Sequence, residues 1–130
     1  VRGPFASKPK YPKDNNFNIT EEEAPKNLEA IMTETNYAAT VYGVSFFELL
    51  KLGIPSVVFS PYKSINTEEL DIIRDLNIAM VAKDEYEAAE MLKDLMNNQE
   101  LSEKISVSAT RIMQHSGINR LRNEIINLIE

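Results

Sequence analysis

A short stretch between two apolar segments, Tyr42-Gly43-Val44-Ser45, combines a glycine with a hydroxyl at a predicted strand-to-helix turn. Gly43 lets a ligand approach the backbone closely because it carries no side chain. The N–H groups of Val44, Ser45 and Phe46 are expected in the first turn of the helix, where the helix dipole favours negative charge. Such a turn can bind a diphosphate. Most turns of this composition bind nothing, so the turn alone leaves both interpretations open.

Glu48 follows one helical turn later, next to two aromatic residues. A carboxylate in this position can accept hydrogen bonds from the two hydroxyls of a ribose, as acidic residues do in dinucleotide-binding folds. The alternative is a solvated glutamate that only interacts with the helix dipole. Neither the turn at Gly43 nor Glu48, considered alone, identifies a ligand.

The elements that position these residues follow from the apolar pattern of the chain. Apolar runs typical of buried strands alternate with segments of helical periodicity. Strands are predicted at 37–41, 56–60 and 78–81. Helices are predicted from Pro25 onwards, at 44–52, from Asn66 or Thr67 onwards, from Asp84 to about residue 97, at 100–115 and at 118–129. Gly53 is expected to end the second of these helices in a left-handed conformation.

Strands that are apolar throughout and alternate with helices indicate a parallel sheet covered on both faces. We therefore expect an α/β fold, Rossmann-like and three-layered (α/β/α) with a small parallel sheet, in one domain over residues 1–130. Ligands of such sheets bind at the carboxyl ends of the strands, here the loops after Val41, Ser60 and Val81. Residues 1–5 are expected to form a short strand, and residues 6–18, rich in Pro, Lys and Asn, a long loop.

Composition limits the class of partner. The formal net charge of −6 argues against a nucleic-acid partner, since binding a phosphate backbone usually requires a basic patch. No apolar run approaches the roughly 18 residues of a membrane span. The chain has no cysteine, which excludes disulfides and thiolate chemistry and suits a reducing cytoplasm.

Gly43, Glu48, Gly53 and Pro55 stand together in the pattern G-(V/A)-(S/T)-x-x-E-L-x-x-x-G-x-P. This pattern resembles the signature of the nucleotide-sugar-binding C-terminal half of GT-B-type enzymes. The most similar groups are the UDP-sugar hydrolases of nonulosonic acid biosynthesis with the related spore-coat polysaccharide biosynthesis proteins, and the N-acetylglucosaminyltransferase family of peptidoglycan synthesis. The resemblance covers most of the chain, and includes the short "GPF" run at residues 3–5.

The resemblance implies roles for individual residues. The turn formed by Gly43, Val44 and Ser45 would hold the diphosphate of a UDP-sugar substrate, and Glu48 would bind its ribose. The loop at 62–69 would close over the sugar through Asn66 and Glu69, where the family usually has a glutamine and an asparagine. Glu69 thus places a negative charge where a neutral amide is usual. Tyr42 also departs from the pattern, because it replaces the first glycine of a Gly-Gly pair.

The resemblance also implies what this chain leaves to another domain. GT-B-type enzymes carry the acceptor site, and usually the general base, on an N-terminal domain that is not part of this sequence. His115, the single histidine, is interpreted as a capping or surface residue. The sequence contains no recognisable Ser-His-Asp set, paired catalytic carboxylates or metal-ligand spacing. We therefore predict no catalytic residue, no metal and no cofactor, and expect the chain alone to be inactive.

Three functions remain open at this point. The first is the donor-binding part of a glycosyltransferase or UDP-sugar hydrolase of cell-surface polysaccharide biosynthesis. The second is a non-catalytic partner or a degenerate nucleotide-binding module, which the departures at Tyr42 and Glu69 favour. The third is an unrelated doubly wound domain, such as a response-regulator-like module, which topology alone would permit.

Overall fold

The computed structural model describes Val1 and residues 18–60, 68–114 and 117–129. Within these ranges three strands alternate with helices, and two further helices end the chain. The strands are β1 (Ala38–Val41), β2 (Ser56–Phe59) and β3 (Met80–Ala82). The helices are α1 (Leu28–Thr33), α2 (Val44–Lys51), α3 (Glu68–Asp75), α4 (Glu85–Asn97), α5 (Gln99–Gln114) and α6 (Gly117–Ile129). No helix in the described part of the chain is long and apolar enough to cross a membrane.

The three strands form one parallel sheet in the order β1-β2-β3. Val41 is aligned with Phe59, and Phe59 with Ala82, so the strands end together at one carboxyl edge. This confirms the predicted Rossmann-like α/β/α fold with a small parallel sheet.

The sheet is covered on both faces by apolar helix faces. Helices α2 and α3 cover one face, where Phe46, Leu50 and Ile73 pack around Val58. Helix α4 covers the other face, where Ala88 and Leu95 pack against the sheet. Helix α1 lies beside α2 and β1, and α6 packs on α3 and α5. At the carboxyl edge, α2 therefore begins between α1 on one side and α3 on the other.

Helix α5 closes the opposite, amino-terminal edge of the sheet. The Ser106 hydroxyl donates a 2.6 Å hydrogen bond to the carbonyl of Gly53, the residue that ends α2 shortly before β2. Gly53 has a φ of +69°, as predicted, and the N–H of Ile54 donates to the Leu49 carbonyl in the manner of a Schellman cap. With α5 at the amino edge, the carboxyl edge is where a ligand can reach the strand ends.

Two details of the predicted strands are wrong. Residues 37–41 do not form a fully buried strand: in β1 the side chains alternate and Val41 is 43% exposed, because β1 lies at an edge of the described sheet. The third strand begins at Met80 instead of residue 78. Asn77, with a φ of +53°, ends α3, and the N–H of Ile78 still donates to the α3 carbonyl of Ile73.

The start of the first helix also differs from the prediction. Pro25 does not open it: α1 begins at Leu28, after Asn27, whose side-chain oxygen accepts a 3.1 Å hydrogen bond from the N–H of Ala30. The predicted strand at 1–5 lies outside the described residues except for Val1, and the predicted loop at 6–18 lies outside them except for Asn18.

Candidate functional site

The candidate site is the first turn of α2, which follows β1 at the carboxyl edge of the sheet. Gly43 occupies the N-cap position in an extended conformation (φ 172°, ψ −166°) and no side chain caps the helix. Among the described residues, no atom other than those of the adjacent residues lies within 4 Å of a Cβ atom built on Gly43. The space over this turn is therefore open, and its backbone conformation is one that any residue can adopt.

The N–H groups at this turn are not equally available. The N–H of Phe46 donates a 3.1 Å hydrogen bond to the Gly43 carbonyl, so of the three N–H groups that the sequence offers for an anion, that of Phe46 is not available. Within the described residues, the N–H groups of Val44 and Ser45 have no hydrogen-bond acceptor. These two groups lie at the positive end of the helix dipole and can donate to an anion.

The other helices whose starts are described are capped by their own side chains. Asn27 caps α1, and Asn98 accepts a 3.1 Å hydrogen bond from the N–H of Leu101 at the start of α5. At the carboxyl edge, the carboxylate of Asp84 accepts from the N–H of Glu87, and that of Glu87 accepts from the N–H of Lys83. The loop after β3, which the sequence offered as a ligand site, is thus occupied by two carboxylates. The start of α2 is left without a cap.

Ser45 and Glu48 lie three residues apart and so are neighbours on the surface of α2, and Ser45 lines the groove against α1. Glu48 is exposed, and Ser45 is half-buried at the end of a groove of about 360 Å³ between α1 and β1. Leu28 and Met32 form the α1 wall of this groove. Sequence reasoning missed the groove, because no spacing along the chain connects α1 to the first turn of α2.

Tyr42 lies on the other side of the turn, within a cluster of three aromatic rings. Its ring centroid is 6.2 Å from that of Phe46 and 5.9 Å from that of Phe47 in an edge-on arrangement. Burial raises the pKa of Tyr42 to about 12, and the negative charge of Glu69 adds to the shift. The phenol is therefore protonated at neutral pH, and its ring packs against the core shared by α2 and α3.

Glu69 is the buried acidic group of this edge. It lies in the first turn of α3 and only 3% of its surface is exposed. Burial raises the pKa of the Glu69 carboxyl, and the charge of neighbouring Glu68 raises it further. The Glu69 carboxylate, in α3, is close enough to Tyr42 to affect the pKa of its phenol, whereas Glu48 lies exposed on α2.

We expect Glu69→Gln to stabilise the protein at pH 7. The native fold favours the protonated carboxyl, so the native state loses stability as the pH rises from the ordinary glutamate value of 4.5 through the raised pKa of Glu69. The neutral amide removes this cost, and we expect a gain in the free energy of unfolding at pH 7 that disappears below pH 4.5. Urea unfolding at pH 4 and pH 7 measures it. The exposed neighbour provides the control, since Glu68→Gln should change stability much less; equal gains in both variants would contradict the burial argument.

The structure thus brings together Gly43, Val44, Ser45 and Glu48, with Glu69 on the neighbouring helix. Asn66 and the rest of the predicted sugar loop up to residue 67 lie outside the described residues, as does His115. In the described part of the chain no group of three or more His, Asp or Glu side chains is arranged to hold a metal ion. No protein-family model, curated protein or solved structure matches this chain significantly.

Proposed function

We propose that this chain is the nucleotide-sugar-binding domain of a two-domain GT-B-type enzyme, a glycosyltransferase or UDP-sugar hydrolase of polysaccharide biosynthesis. The observation that carries the proposal is the first turn of α2, where the described residues leave two N–H groups without an acceptor, provide no side-chain cap and leave open space over Gly43. The diphosphate of the donor would accept hydrogen bonds from Val44 and Ser45. The ribose would lie towards Glu48, on the Ser45 side of the helix.

In this function the chain stabilises a leaving group. Water or a sugar hydroxyl attacks the anomeric carbon of the donor while the bond from that carbon to the diphosphate oxygen breaks. The negative charge that develops on the diphosphate is stabilised by the positive end of α2. The base that accepts the proton of the nucleophile would come from the N-terminal acceptor domain. The lack of cysteine suits a cytoplasmic location, where disulfides are rare.

Backbone amide shifts during nucleotide titration test the proposal. We expect UDP to shift the amides of Val44 and Ser45, UMP to shift them less because it lacks the second phosphate, and ATP to have little effect. The capped start of α4 is an internal control, so Glu85 and Tyr86 should not respond. Shifts that are confined to α4, or equal with all three nucleotides, would contradict a UDP site at α2.

The burial of the acidic residue Glu69 favours the second candidate function, a non-catalytic or degenerate module. A buried carboxylate, when ionised beside the turn proposed to bind phosphate, repels a diphosphate. A degenerate module would show no amide shifts with any nucleotide in either the unmodified chain or the Glu69→Gln variant.

A further inference from the structure

We infer that donor binding at α2 is coupled to protonation of Glu69, which takes up a proton when a pyrophosphate occupies the first turn of the helix. The inference rests on the proposed function and adds a regulatory property to the same site. Two features of the structure support it: α2 and α3 begin at the same edge of the sheet, and the carboxyl group of Glu69 is buried.

The placement follows from the topology. Helices α2 and α3 are consecutive connections between adjacent parallel strands and share one core on one face of the sheet. Both helices therefore begin at the same carboxyl edge. The Glu69 carboxylate is close enough to Tyr42, the residue before Gly43, to raise the pKa of that phenol, so a pyrophosphate on the first turn of α2 would lie on the order of 10 Å from the carboxyl of Glu69.

The charges around Glu69 favour proton uptake. The described groups that interact electrostatically with Glu69 are the carboxylate of Glu68 on its own helix and the phenol of Tyr42, which follows β1. Glu69 itself is 3% exposed, so little water screens it. Its raised pKa already brings protonation closer to neutral pH.

A bound pyrophosphate diester adds about two negative charges to this environment. By Coulomb's law, at the effective dielectric constants of partly buried sites, this repulsion weakens binding to the ionised form by about tenfold. When Glu69 is protonated, this repulsion is absent and binding is not weakened. Affinity should therefore rise as the pH falls, and a tenfold coupling corresponds to an uptake of at most about half a proton per ligand bound at intermediate pH.

UDP-glucose is a suitable probe because a pyrophosphate diester keeps the same charge between pH 5.5 and pH 8. Calorimetric titration of the 130-residue chain measures Kd across this range, and a second buffer of different ionisation enthalpy gives proton uptake. We expect Kd to fall from pH 8 to pH 5.5, by up to the limit of about tenfold that the coupling sets. The Glu69→Gln variant should bind tightly and independently of pH, whereas Glu68→Gln, its exposed neighbour, should keep the pH dependence.

The outcomes separate this inference from the proposed function. If the unmodified chain binds the probe with the same Kd at every pH, or if Glu69→Gln retains the pH dependence, the coupling is refuted while the nucleotide site stands. If neither the unmodified chain nor the variant binds at any pH, the proposed function fails and the coupling fails with it. Proton uptake in the unmodified chain that is lost only in Glu69→Gln supports the coupling.

Discussion

Gly43→Ala is expected to weaken UDP binding by about tenfold or more while leaving the protein folded. The new methyl group would stand in the open space over the first turn of α2, where the diphosphate is proposed to lie. The fold should tolerate it because the extended backbone of Gly43 suits any residue and no atom lies within 4 Å of the new carbon. Replacing glycine by alanine at an N-cap has small opposing effects, so stability should change by less than about 1 kcal/mol.

Two measurements on the same sample decide this prediction. Urea unfolding establishes that Gly43→Ala is as stable as the unmodified chain, and calorimetry with UDP gives the loss of affinity. A folded variant that keeps its affinity within about twofold would show that the phosphates do not contact this turn. Val44 provides a matched control, because its side chain is 78% exposed and Val44→Ala retains the N–H group of the turn.

Gly53→Ala is expected to lower the free energy of unfolding by about 2–3 kcal/mol. The φ of +69° is costly for any residue with a Cβ atom, by about 1–2 kcal/mol. A Cβ on Gly53 would also lie 2.7 Å from Cγ2 of Thr110 and 3.2 Å from Oγ of Ser106. Relief of these contacts would disturb the 2.6 Å hydrogen bond from Ser106 to the Gly53 carbonyl, which holds α5 against the end of α2. Urea unfolding measures the loss.

A double-mutant cycle with Thr110→Ala separates the two causes. The second substitution removes the Cγ2 atom that the new methyl group meets, but leaves the backbone conformation of residue 53 unchanged. The double variant should therefore recover the part of the loss that comes from the contact and retain about 1 kcal/mol from the backbone. A loss in Gly53→Ala that is no larger than in Gly43→Ala would contradict the structure of this cap.

Gly43 and Gly53 differ in how much of their structural role can be predicted from the sequence alone. Gly53 could be assigned a left-handed helix end from the chain alone, because a glycine between a helical pattern and a Pro-led strand is typical of a helix C-cap. Gly43 could be assigned to a turn, but its pattern leaves open whether a ligand or a protein side chain requires the glycine. The open space over it is a property of the packed structure, in which neither neighbouring helix reaches that position.

Asp84 and Glu69, both near the carboxyl edge of the sheet, show the same limit of sequence-based prediction. Asp84 was identifiable as a helix cap because capping depends on residues within one turn of the chain, and the structure confirms it. The burial of Glu69 and its proximity to Tyr42 depend on tertiary packing, which brings together residues 27 positions apart in the chain. A contact between residues so far apart leaves no pattern in the nearby sequence. The negative charge of Glu69 could therefore be recognised as a departure from the family pattern, but its burial could not be predicted.

The sequence by itself therefore determined the elements, their order and the parallel α/β/α architecture, because hydrophobic periodicity and caps act over a few residues. It also placed the candidate turn of Gly43, Val44, Ser45 and Glu48 at the start of one helix. The tertiary structure alone decided that α5 closes the amino edge, that β1 lies at an edge of the described sheet, and that the start of α2 is left without a cap between α1 and α3. These features depend on which helices pack side by side, and the packing is fixed by contacts between residues far apart in the chain.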